Sequence, residues 1–195
     1  SELVPQLSQY TLDAPMFNQS LTESAKFDYL KKKLPEMVRE GHRILVFSQW
    51  TALLDVLEIL MQELKLKYHR LDGSTAASER QELVDSFNRD KSYNVFLLST
   101  RSGGVGLNLT GADVVILHDL DFNPQNDLQA ENRCHRIGQT KEVTVIRLVS
   151  ADTVDEHIFN IATKKQKLNE AVLAPKQESD RVSTGKVLDE VFGKS

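Results

Sequence analysis

One cysteine, Cys134, is all the thiol chemistry in this chain of 195 residues. A lone cysteine excludes an internal disulfide and fits a reducing compartment. Beside it stands His135, but one Cys with one adjacent His does not make a zinc site, and the other histidines are scattered. No stretch approaches the roughly eighteen consecutive apolar residues of a membrane span, so no membrane partner is expected. An excess of positive charge is also missing: 24 basic residues face 28 acidic ones, for a net charge of −4. Any contact with a polyanion must therefore be a local strip rather than a global field. The opening Ser-Glu-Leu-Val-Pro has neither the basic nor the apolar region of a signal peptide, and no initiator Met. The chain is expected to be a piece of something longer. No internal repeat is visible.

What is present suffices for a core, with 40% of residues hydrophobic, in one domain with trailing arms. Residues 1–20 are rich in Gln, Ser, Asn and Pro and read as an irregular arm. Thr22 or Ser24 can cap a helix whose apolar face is Phe27, Leu30, Leu34, Met37 and Val38. Pro35 should kink or restart it, and Gly41 should end it. Apolar runs follow at Ile44–Phe47, Lys67–Leu71, Val95–Leu98, Val114–Leu117 and Val143–Val149, each short enough for a buried strand. Helical spacing fills the intervals from Thr51, from about Ser78 to Asn88, and from about Asn123. A last helix runs from Thr153 to about Glu170, and the tail 174–195 turns polar, with one apolar cluster that could form a short docking helix. Strands alternating with helices predict an α/β fold, a mostly parallel sheet with helices on both faces. In such sheets ligands bind at the carboxyl ends of the strands.

Those ends carry the chemistry. After the first strand come Ser48, Gln49 and Trp50; after the second, Asp72-Gly73-Ser74-Thr75; after the third, Ser99-Thr100-Arg101-Ser102-Gly103-Gly104-Val105-Gly106. Glycine-rich turns and hydroxyls at helix starts are ready anion sites. The fourth strand leads to Gln129-Ala-Glu-Asn-Arg-Cys-His-Arg-Ile-Gly-Gln139, which holds Arg133 and Arg136. A helix over this stretch puts Gln129, Arg133 and Arg136 on one face. Two guanidiniums there form a clamp for phosphate or carboxylate. The bland alternative is a surface ion-pair face with Asp127 and Glu131. Three loops of this kind beside the Arg-x-x-Arg pattern favour a phosphate-handling edge.

The ordered set Ile44–Trp50 (ILVFSQW), Arg70–Arg80 (RLDGSTAASER), Ser99–Leu109 (STRSGGVGLNL), Asp119–Pro124 (DLDFNP) and Gln129–Gln139 (QAENRCHRIGQ) resembles the second RecA-like lobe of superfamily 2 helicase-type motors. Within these it is similar to the Swi/Snf family of chromatin-remodelling ATPases, and its wording to the SMARCAD-type subgroup. The resemblance covers about residues 20–170, with a RecA-like lobe over 21–152 and a bracing helix over 153–173.

That resemblance implies a role for each matching position. Arg133 and Arg136 would be arginine fingers reaching ATP bound with Mg2+ on an N-terminal RecA-like lobe of the same polypeptide. Gln129 and Gly104 would support the nucleotide side. Ser74, Thr75, Ser99 and Thr100 would contact phosphates of double-stranded DNA, with Ser48 and Arg101 nearby. Phe122 departs from the Trp common in the family and would lie near the DNA minor groove, or serve as a core anchor. Nucleosomes and their histones would be partners, and the nucleus the location. Neither Gly-x-x-x-x-Gly-Lys-Ser/Thr nor Asp-Glu-x-His occurs, so the Mg-ATP cradle is missing and the chain alone should be inactive. The equivalent lobe of an RNA helicase, and a non-catalytic binding module on the same fold, are the alternative readings.

Overall fold

In the computed structural model, residues 24–100, 107–121, 123–132 and 141–173 are described, with side chains of the last stretch described to Lys165. Five strands are hydrogen-bonded in the order β2-β3-β1-β4-β5, and every neighbouring pair is parallel. They are β1 (Ile44–Ser48), β2 (Tyr68–Leu71), β3 (Val95–Ser99), β4 (Val114–Leu117) and β5 (Thr144–Arg147). The helices are α1 (Ala25–Arg39), α2 (Thr51–Glu63), α3 (Ala77–Arg89), α4 (Pro124–Glu131) and α5 (Val154–Leu173). Among the described residues no helix is long and apolar enough to cross a membrane.

The three inner strands are apolar along almost their whole length because both faces of the sheet are covered. Successive side chains point to opposite faces, and that alternation sorts them into two cores. Ile44, Val46, Val95, Leu97, Val114 and Ile116 meet Leu30 and Leu34 of α1 and Leu54, Leu57 and Met61 of α2. Leu45, Phe47, Phe96, Leu98, Val115 and Leu117 meet Val84 and Phe87 of α3 and Ala130 of α4. The connection from β1 to β2 runs in one direction along the sheet, and those from β2 to β3 and from β4 to β5 run in the other. Their helices accordingly lie on opposite faces, as right-handed crossovers require.

Pro35 was expected to kink or restart the first helix, yet α1 runs through it without a break. Leu30 and Leu34 are fully buried before it, and Met37 and Val38 pack on the same core after it. Burial of one continuous apolar face outweighs one lost backbone bond. The second helix begins at Thr51 as expected, whereas β5 is shorter than the run from Val143 to Val149.

At the amino ends of the strands Arg43 acts as a staple. Its guanidinium donates to the carbonyls of Tyr93 (Nη2, 3.0 Å), Gly111 (Nη1, 3.3 Å), Asp90 (Nη2, 3.3 Å) and Phe87, and lies 4.0 Å from the centre of the Phe87 ring. Its backbone N–H donates to Asp113 Oδ1 at 2.8 Å. Asp113 also takes Lys141 Nζ at 2.9 Å and sits 3.1 Å from His42 Nδ1. This end is closed by structural bonds, which leaves the opposite edge for ligands.

Candidate phosphate-handling edge

From β3 the chain crosses over β1 to reach β4, so β1 and β4 meet at a switch point. Connections diverge there and leave a crevice at the carboxyl end, where open α/β sheets bind ligands. Three described loops converge on this edge.

The first is the turn after β2. Asp72 is 4% exposed, and its Oδ1 accepts the backbone N–H (2.8 Å) and the hydroxyl (2.6 Å) of Ser74. Its other oxygen accepts Arg70 Nε at 2.9 Å and pairs with Nη2 at 2.7 Å. Arg70 reaches on to Asp55 and Glu58 of α2, both at 2.5 Å. The Ser74 hydroxyl holds Asp72 below the usual carboxylate range; burial opposes this, and the Ser74 N–H and Arg70 add to the lowering. Burial alone would lower the Arg70 pKa, but hydrogen bonds from Asp55, Asp72 and Glu58 raise it above its ordinary value.

The result decides which hydroxyl can serve a ligand. Ser74 has committed its proton to Asp72. Thr75 Oγ1 only accepts, from the Asp72 N–H at 3.1 Å, and keeps its own proton to donate. Ala76 precedes α3 as an N-cap that offers no side-chain bond; Ala77 and Ser78 of the first turn are exposed near Thr75, while the Glu79 N–H bonds back to the Ala76 carbonyl at 3.0 Å.

The second loop follows β1. Ser48 was expected near the contacts to DNA phosphates, and it is fully buried. Its Oγ accepts the Trp50 N–H at 3.0 Å and donates to the Trp50 carbonyl at 3.2 Å. It shapes the entry into α2 rather than presenting a donor. Trp50 itself stands 68% exposed at this edge. Ser99, beside Ser48 in the sheet register, is buried as well, and Thr100 after it is half-buried.

The third loop joins β4 to α4. Asn123 caps α4 by accepting the Gln125 N–H at 3.2 Å, and Pro124 occupies the first helical turn. Asp121 accepts the Asn123 N–H and the Asn126 amide, both at 2.8 Å. Gln49 ties this loop to β1: its N–H donates to Asp119 Oδ2 at 2.5 Å and its amide to the Leu120 carbonyl at 2.8 Å. Gln129 lies exposed on α4, which enters the arginine stretch at its last turn. Arg101, Gly104, Phe122, Arg133 and Arg136 lie outside the described residues.

The sequence placed Gln49 and Asp72 in the strand-end loops and Arg70 and Asp119 in the matching motifs, but it did not show that these four hold the loops together. Asp-Gly-Ser-Thr carries a local signal, since Asx turns favour that order. The Gln49–Asp119 bond joins residues far apart in the chain and has no local signal.

Residues 25–138 match the helicase conserved C-terminal domain. Protein CHROMATIN REMODELING 19 of Arabidopsis thaliana is 60% identical over 150 residues, covering 77% of this chain and 20% of that protein. ATP-dependent helicase fft2 of Schizosaccharomyces pombe is 45% identical over 186 residues, covering 95% of this chain and 14% of that protein. The human SWI/SNF-related matrix-associated actin-dependent regulator of chromatin subfamily A containing DEAD/H box 1 is 52% identical over 150 residues, covering 77% of this chain and 15% of that protein. The chain thus spans a fifth or less of the length of these relatives. Among solved structures, the C-terminal part of the Fun30 ATPase domain matches with a TM-score of 0.72 at 38% identity, covering 98% of this chain and 60% of that one. The chain therefore belongs to the helicase C-terminal domain family, as the RecA-like lobe found in SWI/SNF-family chromatin-remodelling ATPases.

Proposed function

We propose that this lobe is the second half of an ATP-driven motor that moves along double-stranded DNA and remodels nucleosomes in the nucleus. Its partner is an N-terminal RecA-like lobe of the same polypeptide, which would hold ATP and Mg2+. The observation that carries the reading is the start of α4. Asn123, Asp121 and Gln49 fix that helix at the sheet's carboxyl edge, and Arg133 and Arg136 follow it in the sequence.

In this reading Mg2+ would be held mainly by the other lobe. This lobe's own contribution is charge and position. Arg133 and Arg136 would neutralise charge building on the transferring phosphoryl group when the lobes close. Thr75 and the exposed residues Ala77 and Ser78 opening α3 would grip one DNA strand by its phosphates, contacts that carry no base information. Ser48 and the Ser74 hydroxyl would act indirectly, by shaping their loops. ATP closure and DNA grip then sit on loops of one rigid sheet, which is how hydrolysis would advance the strand.

The test is steady-state ATP hydrolysis by a polypeptide carrying both lobes, with saturating DNA. Arg133→Ala or Arg136→Ala should lower turnover by about 10³-fold or more, the range for arginine fingers. ATP affinity should fall far less, and Lys should not rescue, since it lacks the bidentate fork. The isolated chain should show no DNA-stimulated turnover. Near-normal turnover in either Ala variant would overturn that residue's role.

A further inference from the structure

The segment that carries β4 into α4 is gripped at three successive residues. Gln49 holds Asp119 and Leu120 from the β1 side. The third grip comes from Lys26, whose Nζ donates to the His118 carbonyl at 2.8 Å and pairs with Asp155 Oδ2 at 2.5 Å. Lys26 lies in the first turn of α1, and Asp155 in the first turn of α5. One ammonium therefore joins the first and last described helices to the end of the central strand pair β1–β4. The joint is half-buried, with the Lys26 side chain 12% exposed and that of Asp155 23%. Asp155 also accepts the Ser150 N–H, so it fixes the approach to its own helix. Burial pushes the Asp155 carboxyl up, but the hydrogen bond and charge of Lys26 hold it below its ordinary value.

His118 is also held along the sheet, its N–H donating to the Phe47 carbonyl at 3.0 Å. Its ring packs against Phe27 at 5.5 Å between centroids, and neither ring nitrogen has a hydrogen-bond partner. The bond from the Lys26 ammonium to the His118 carbonyl is the contact that also reaches α5. A buried ion pair is a weak way to gain stability, because desolvating both charges offsets most of their attraction. It is a precise way to fix a distance, and the distance fixed here is from α5 to the entry of α4.

We propose that Lys26 is a positioning residue: through Asp155 and the His118 carbonyl it makes the placement of α4, the helix that precedes Arg133 and Arg136 in the chain, depend on the placement of α5. The proposal rests on the finger reading of Arg133 and Arg136 given above. A shift of α5 pulls on the Lys26 ammonium, the ammonium pulls on the strand end, and six residues on the movement reaches Pro124. Ångström-scale misplacement of groups far from the reacting atoms is enough to slow a positioned reaction by about a hundredfold.

The experiment uses the two-lobe polypeptide with Lys26→Met, Lys26→Arg and Asp155→Asn, and with Arg133→Ala and Arg136→Ala as reference. Turnover at saturating DNA, KM for ATP, DNA affinity and Tm are measured for each. Lys26→Met should lower kcat by about ten- to a hundredfold, while KM for ATP and DNA affinity stay close to the parent values. Lys26→Arg should recover most of the loss, since it keeps a cation that can reach both oxygens. Asp155→Asn should show the same kcat defect in weaker form. A Lys26→Met protein with a lowered Tm and parental kcat would make the joint structural only and overturn the proposal. If Lys26→Met does not fold, Asp155→Asn decides, and parental kcat there overturns it. The reference variants keep the two ideas apart. Parental turnover in both overturns the finger reading itself, whereas lost turnover there beside parental kcat in the Lys26 and Asp155 variants overturns only the role of Lys26.

Discussion

Gly111 has no room for a side chain. A Cβ there would meet Arg43 Nη1 at 2.7 Å, Asn88 Oδ1 at 2.8 Å and the Asn88 Cα at 3.2 Å. Its N–H also donates to Asn88 Oδ1 at 2.9 Å and its carbonyl accepts from Arg43. Arg43 is pinned by its other carbonyl partners and cannot swing aside without leaving them unpaired. Gly111→Ala should therefore destabilise the lobe by about 1–3 kcal/mol, the usual cost of forcing atoms into a packed site. Urea unfolding of the two proteins measures it. An unchanged midpoint would mean that the Arg43 staple yields freely.

At the scale of elements, the turn after β2 is held by Asp72 more than by the hydroxyls the sequence displays. Asp72→Ala would remove the acceptor for Ser74 and leave Arg70 with only its α2 partners. Ser74 is exposed, so water can replace the lost acceptor, and the change acts mainly on the order of the turn. The turn that presents Thr75 should loosen at the same time. Affinity for double-stranded DNA should fall in Asp72→Ala, and fall less in Asp72→Asn, which keeps an acceptor for Ser74. Titration of the variants with a labelled duplex at fixed salt is the measurement. Equal affinity in all three proteins would remove this turn from the DNA grip.

For the whole molecule, the two ends of the sheet divide the work. The amino end is closed by Arg43 and Asp113, while the carboxyl end carries the loops proposed for DNA and nucleotide. Burial raises the Asp113 pKa, but the Arg43 N–H, Lys141 and His42 together hold it below its ordinary value. An aspartate unfolds to a pKa of about 3.9. Because the folded value is lower, the stability Asp113 contributes is complete above that pH and is lost as pH falls through the folded value. Asp72 and Asp155 act in the same direction. Urea midpoints should therefore hold near neutral pH and decline below about pH 4. Asp113→Asn should be less stable at neutral pH and show a shallower acid decline. An unaltered acid slope would assign the acid lability to other carboxylates.

Much of this was legible in the chain because it depends on neighbours in sequence. The apolar runs at Ile44–Phe47 and Val114–Leu117 suit strands covered on both faces, and a helix was expected from about Asn123; both form. Periodicity and turn chemistry are local, so they survive without a fold around them. The family wording pointed to the same edge. Tertiary structure decided what depends on which distant groups meet. It ran α1 through Pro35, since Leu30, Leu34, Met37 and Val38 share one core. It turned Ser48 inward, because five consecutive residues of β1 are buried between two layers. And it brought Lys26 to Asp155 and Gln49 to Asp119, residue types common on any surface until the sheet order places them together. Local pattern determines which elements form; only packing determines which side chains remain free to act.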